Sequence, residues 1–352
     1  MLSLNLFMSS ANSKNMKATF ILIFMSLNVF GQHQTEEQRR DITFYKATNN
    51  WFQAWKLVSK DIYHIETVRP VDFIFFDDKY VYTTDAALLK KGKPVKGPHL
   101  MNLSLKWKKE LHQGHVTLPD ESVIPIGLMS FAAEIPNKPN SSFFLMPLPD
   151  FWKSSGVESK ELGLGNLVTG VFIHEFSHSQ QMQNFGRKIT EFEKKNSFPK
   201  EFNDDIVQNI FQKDTVYLKM YQNEVEKIYQ SVQNGTLDKI LANEGLGLIN
   251  QRQNSYFEKQ YADLKQIDDF FLTMEGLGQY SMYLWLIHPM GADIAPEMAI
   301  QGVRRGKKWW SQDEGLALFL VLDKMAKPES WAKEMFGDQV ESVVSLIRQQ
   351  IR

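Results

Sequence analysis

An α+β fold, with a small N-terminal sheet followed by a mainly helical half, is predicted by three observations on this 352-residue chain. Short runs rich in β-branched and aromatic residues crowd the segment from about 71 to 148. Past residue 160 such runs nearly vanish, and apolar residues recur with the 3.6-residue period of helices. The composition, 43% hydrophobic and 23% charged, is that of a chain that buries a core, which excludes disorder and collagen-like repeats.

Taken in order, residues 16–31 read as a targeting signal. Met16 and Lys17 give a basic start, 18–25 is almost wholly apolar, and Val29-Phe30-Gly31 supplies the small residues a signal peptidase needs, so cleavage is expected after Gly31. The apolar run is too short to span a bilayer, so secretion or a periplasmic location is expected, without stable membrane insertion. Because a Met-Lys start sits at Met16, residues 1–15 are read as an upstream extension. An N-terminal α+β subdomain is expected over 32–165: a helix at 36–59, then strands at 71–76, 79–84, 115–118, 126–133 and 142–148. Lys90, Lys91, Lys93, Lys96, Lys106, Lys108 and Lys109 read as a solvated loop, with Trp107 the only aromatic among the last of them. Over 166–352 helices are expected at 167–183, 204–233, 237–261, 266–286 and 313–325.

Charge and composition narrow the chemistry. Forty Lys plus Arg against 41 Asp plus Glu leave a net charge of -1, with no basic excess to hold nucleic acid. No Cys is present, which removes disulfides, thiolate metal sites and cysteine nucleophiles together. Any metal must be held by His, Asp or Glu.

Residues 170–178, Gly-Val-Phe-Ile-His-Glu-Phe-Ser-His, carry the decisive signal. Positions i and i+4 of a helix differ by about 40° in azimuth, so His174 and His178 share a face and can share a metal ion. Glu175, beside that face, can reach a water there without being forced to bind the metal, the geometry a general base needs. Two imidazoles leave zinc two open positions; a hydrolytic site normally adds one more protein ligand and keeps a water. Chance would give the His-Glu-x-x-His pattern on the order of 0.01 times in such a chain.

At these residues the sequence resembles the zincin metallopeptidases, although Gln180 stands where that family usually has an apolar residue. The resemblance implies one Zn²⁺ per chain, hydrolysis of peptide bonds in a peptide or protein substrate, and Glu175 as the catalytic base. It also implies a sheet whose edge strand borders the cleft and packs on the active-site helix, and 142–148 is the candidate for that strand. A third ligand from a helical second subdomain is implied as well. No third His follows at metzincin spacing; in the gluzincin type the ligand is a Glu within Glu-Gly-x-small-x-aromatic, which Glu275-Gly276-Leu277-Gly278-Gln279-Tyr280 resembles. Gly276 and Gly278 cost about 1 kcal/mol each in helix propensity, which fits a helix that must approach another closely. Phe270, Phe271, Leu272, Met274, Leu277 and Met282 around Glu275 predict a buried carboxylate that needs a charge partner.

The triplet Glu-Gly-Leu recurs at Glu244 and Glu314, the rivals for the third ligand; Glu244 lacks the aromatic five residues on, and Glu314 follows a polar helix start where capping suffices. Glu224 and Asp205 are candidate partners of the metal-binding imidazoles. Tyr280 and Tyr283 could donate to an oxyanion, although a core role suits either. A di-iron site would need a second Glu-x-x-His, which the chain lacks. The remaining alternative is a non-catalytic binding or structural protein on the same scaffold.

Overall fold

The computed structural model describes residues 34–351 apart from 137, 139, 197, 199–201 and 234. The expected targeting signal, 16–31, lies outside them. In chain order the elements are α1 (Glu36–Lys56), β1 (Val71–Phe76), β2 (Tyr80–Thr83), β3 (Lys93–Val95), β4 (Trp107–Leu111), β5 (His115–Thr117), β6 (Val123–Pro125), β7 (Phe131–Glu134) and β8 (Ser142–Pro147). There follow α2 (Pro149–Ser154), α3 (Leu164–Gln181), α4 (Arg187–Lys195), α5 (Ile206–Phe211), α6 (Thr215–Gln230), α7 (Lys239–Tyr256) and α8 (Leu264–Ile287). The chain closes with α9 (Pro296–Arg304), α10 (Trp310–Met325), α11 (Pro328–Met335) and α12 (Val343–Ile351). No described helix is long and apolar enough to cross a membrane.

Helix α1 starts on a capping box: Thr35 Oγ1 accepts from Gln38 N at 3.2 Å and Gln38 Oε1 accepts from Thr35 N at 2.9 Å. Its inner face, Phe44, Trp51, Phe52 and Trp55, lies on a six-stranded sheet of order β3-β4-β2-β1-β8-β7. β1 and β8 are parallel, and every other pair is antiparallel. Alternate residues of β1 and β8 serve two layers. Phe73, Phe75, Phe144 and Met146 join the main core with α1 and α3, while Ile74, Phe76, Phe143 and Leu145 close a second cluster under Val116 and Leu118. Both faces are covered, which is why these strands read as nearly continuous apolar runs, broken only by Asp72 and Ser142.

That burial corrects the placement of the edge strand. All six residues of β8 are buried, and it pairs with β1 on one side and β7 on the other, so the edge nearest α3 is β7. The expected strand 126–133 is shortened to its end: only 131–133 is extended, as part of β7, because the chain must turn after β6, which pairs with β5 in a separate two-stranded sheet, before β7 joins the large one. The lysine-rich stretch is not simply a loop. It supplies β3 and β4, with Trp107 buried and Lys109 only 5% exposed between Asp41 (2.6 Å) and Glu37 (2.8 Å) of α1. Paired acids let one lysine of an alternating strand face inward.

In the second half the expected helix 204–233 is cut in two, because the Asp214 carboxylate accepts from Val216 N (2.9 Å) and Tyr217 N (3.0 Å) and starts α6 afresh. The long helix α3 packs against β7 and β8 of the sheet and against α8, and α8 in turn packs against α10. Phe172 and Phe176 of α3 stack on each other at 5.4 Å; Phe172 stacks on Trp51 at 5.3 Å and Phe176 on Phe73 at 5.5 Å. Close approach is permitted by glycines: a Cβ on Gly276 would lie 2.6 Å from the Gly315 backbone of α10, and one on Gly278 would lie 2.7 Å from the His174 ring.

Since backbone meets backbone at Gly276, no side chain can yield there. Gly276→Ala is expected to cost about 2–3 kcal/mol in urea denaturation despite alanine's better helix propensity; a gain in stability would contradict the contact.

Candidate metal centre

The aromatic stripe on α3 determines where its polar residues point. Residues two apart on a helix differ by about 200°, so with Phe172 and Phe176 against the sheet, His174 and His178 face the opposite way, toward α8. There they meet Glu275. His174 Nε2 lies 3.1 Å from Glu275 Oε2, His178 Nε2 lies 3.2 Å from Glu275 Oε1, and the two Nε2 atoms are 3.1 Å apart. The imidazoles stand edge to face at 87°. His174, Glu175 and His178 offer one ligand atom each within 4.8 Å of one another and could hold a metal ion.

All four side chains are sealed from solvent, at 4%, 3%, 2% and 1% exposure for His174, Glu175, His178 and Glu275. Nδ1 of both histidines and Oε1 of Glu175 have no hydrogen-bond partner among the described residues. Leaving such atoms buried and unpaired costs about 1–3 kcal/mol each. A proton on Nδ1 finds no acceptor and leaves two Nε2 lone pairs facing each other; moving it to Nε2 crowds the three-way contact. A cation between the three donors resolves the conflict.

Electrostatics agree. Burial drives the Glu175 carboxyl far above the usual carboxylate range, and the neighbouring Glu275 charge drives it further. Burial acts on Glu275 too, but His178 and His174 outweigh it and hold that carboxyl low. Burial lowers the pKa of His174. For His178 burial pulls the same way, yet the Glu275 carboxylate prevails and raises it.

Gly278, one turn along α8 from Glu275, leaves the space the His174 ring occupies. Gln312 of α10 donates from Nε2 to Glu275 Oε2 at 3.2 Å, and its own Oε1 accepts from Gln279 Nε2 at 2.5 Å. With its oxygen engaged, the Gln312 amide has one orientation, N–H toward Glu275. Asp204 and Asp205, just before α5, extend the acidic field: the carboxyls of both are raised by burial and then by Glu275, Asp205 to about 7. Asp204 also acts on His178 and Glu175. Sequence reasoning singled out Asp205 and missed Asp204, Gln312 and Gln279, whose roles arise from contacts between segments far apart in the chain.

The rivals lie elsewhere. Glu244 is half exposed and pairs with Lys227 at 2.7 Å. Glu314 is buried on the Arg252 guanidinium at 3.1 Å, together with Asp268 at 3.2 Å, the Tyr217 hydroxyl at 2.7 Å, and Glu224. Glu224 thus belongs to this Arg252 hub, which ties α6, α7, α8 and α10, and it is no partner of the His174 and His178 imidazoles; its one strong hydrogen bond goes to a cation it meets only in the fold. Tyr280 donates its hydroxyl to Asp323. No family model matches the chain, and no curated protein or solved structure matches it.

Two outcomes follow from these contacts. Gln312→Ala is expected to weaken metal binding about 10- to 100-fold by freeing the Glu275 carboxylate, measurable by competition with a chelating dye, whereas Glu244→Ala should bind metal unchanged. At the hub, burial lifts the Glu224 carboxyl to about 7 against the pull of Arg252. The folded chain then holds a proton that the unfolded chain releases near 4.5, so this stability is present at low pH and lost as pH rises through about 7. Between pH 5 and pH 8 the fall should be about 1–3 kcal/mol, and Glu224→Gln should remove it from the denaturation curves.

Proposed function

We propose that the chain is a secreted or periplasmic zinc metallopeptidase of gluzincin type, with His174, His178 and Glu275 as ligands and Glu175 as general base. The donor set of two imidazoles and one carboxylate suits a catalytic rather than a structural zinc. The contacts of 3.1–3.2 Å are close to the ~3.3 Å that separates donors around a tetrahedral zinc ion. When bound, zinc would act as a Lewis acid on the scissile carbonyl and lower the pKa of water.

What carries the reading is Glu175. It sits on the ligand helix, within 4.8 Å of the imidazoles, with a buried oxygen committed to no partner among the described residues. A metal that only stabilises the fold has no use for such a group, and an uncommitted buried carboxylate is costly. Glu175 takes the proton from the attacking water and returns it to the leaving amine. For the peptide we propose an approach along β7, through a groove whose lining includes none of the four buried residues of the centre. This groove of about 540 Å³ runs beside Ala132, Ala133 and Glu134 of that edge strand, walled by Met182, Gln183 and Arg187. An extended peptide there would add a strand to the sheet.

The closure of the centre favours one second reading, a metal-stabilised protein without catalysis. Loading the purified protein with zinc separates the two. Glu175→Gln should keep one zinc per chain and lose peptide hydrolysis by at least about 100-fold, whereas His174→Ala should lose both. Equal turnover by wild type and Glu175→Gln would remove Glu175 from the role, and zinc binding with no hydrolysis of a broad peptide library would favour the second reading.

A further inference from the structure

Two local departures from regular structure border a cavity of about 210 Å³ whose lining includes none of the metal-centre residues. Past Lys56 the turns of α1 widen to π-type over Leu57–Ile62, a form found frequently at functional sites. His64 then turns the chain at φ 55°, a left-handed conformation that residues with a Cβ adopt at a cost. The Ser59 hydroxyl donates to Ile65 O at 3.0 Å across that turn. The segment it releases toward β1 is tied to α3 by Gln180, whose Oε1 accepts from Arg69 N at 2.7 Å while its Nε2 donates to Ser179 Oγ at 3.0 Å. Ser59, Arg69 and Gln180 all line the cavity, and α11 and the residue after it close it from the far end of the chain.

Its chemistry is of two kinds. Trp55, Ile65 and Phe336 give it apolar walls, with the indole and the phenyl ring edge to face at 6.0 Å. Trp55 is 2% exposed, and its Nε1 has no hydrogen-bond partner among the described residues. Two cations, Arg69 and Lys333, line the cavity, and no carboxylate does. Arg69 makes both of its side-chain contacts through one nitrogen, Nη2, which donates to Phe336 O at 2.8 Å and to Asp338 at 3.0 Å. Its Nε and Nη1 are left for a further acceptor, and the Asp338 side chain is 87% exposed, where an ion pair is weak. Lys333 pairs with no described residue. A guanidinium anchored through one nitrogen still presents donors in a fixed plane, the shape that takes a carboxylate. A bare inorganic anion would leave the aromatic walls unused, and a neutral apolar molecule would leave the cations unmatched.

We propose that this cavity is a binding site for a small organic carboxylate, with the anionic group beside Arg69 and Lys333 and an apolar or aromatic body against Trp55, Ile65 and Phe336. The site is separate from the metal centre and does not rest on the peptidase reading.

Titration calorimetry with phenylacetate, phenylacetamide and inorganic phosphate tests it, on protein loaded with zinc and on protein treated with a chelator. Phenylacetate should bind both forms alike, and at least about 10-fold tighter than phenylacetamide, which lacks the charge, or phosphate, which lacks the apolar body. Lys333 is exposed, so Lys333→Gln leaves the fold intact; it should weaken phenylacetate several-fold and leave the amide unchanged. Arg69→Gln should erase the preference for acid over amide, and Arg69→Lys should restore part of it. Thr67, an exposed residue of the lining, places bulk in the cavity when changed, so Thr67→Trp should abolish binding. Where Arg69→Gln lowers the unfolding temperature, the Lys333 and Thr67 variants decide. Phenylacetate bound only by the zinc-loaded form sits on the metal and overturns the proposal. Equal affinity for acid and amide overturns it too, as does a preference untouched by Lys333→Gln and Thr67→Trp, or a Kd for phenylacetate weaker than about 10 mM.

Discussion

The rotation of α3 about its own axis is the constraint on which the rest depends. A helix has one rotation, and here the stacking of Phe172 and Phe176 on Trp51 and Phe73 settles it. A shift of one residue would turn every side chain by about 100° and carry His174 and His178 away from α8. The stripe that packs and the stripe that could bind metal are interleaved two residues apart, so the core of the sheet and the geometry of the site are the same decision. Helix α8 answers with a complementary feature. Gly278 gives the His174 ring its space, and Gly276 lets α10 come close enough for Gln312 to reach Glu275.

The three Glu-Gly-Leu triplets show what a local motif can say and what it cannot. In each, the glycine marks the nearest approach of a neighbouring helix: Gly245 to Ile228 of α6, Gly276 to Gly315 of α10, and Gly315 back to α8. That much follows from the missing Cβ. The glutamate before it has three different fates, at the surface with Lys227, among the histidines, and on Arg252. Local sequence signals a helix crossing, and only the partner helix decides what the carboxylate meets.

The same distinction explains which features were legible. The half-sheet, half-helix division, the course of β1 and β8, and the shared face of His174 and His178 rest on periodicity along one segment, and sequence carries them. β3 and β4 were hidden because their inward lysine is neutralised by acids of α1, a pairing between segments nearly 70 residues apart. The edge position of β7 depends on which strands stand beside β8, and no single strand records its neighbours. An unbroken apolar run such as 143–147, however, is the pattern of a strand covered on both faces, and it favoured an interior place over an edge.

The second half of the chain confronts the cost of buried carboxylates twice and resolves it differently each time. In the hub, Glu224, Asp268 and Glu314 gather on Arg252, a cation fixed in the chain, and the result is a tie between four helices. Around α3 the carboxylates of Glu175, Glu275 and Asp204 are buried as deeply, but the donors closest together are two imidazoles and a carboxylate, with no fixed cation between them. A guanidinium fills its own place with hydrogen bonds and leaves nothing vacant. A metal ion neutralises the same charge while retaining open positions. The two clusters therefore differ in kind: one is closed by a cation of the chain itself, and the other has the donors to hold an ion, which would keep a place where a further molecule can bind.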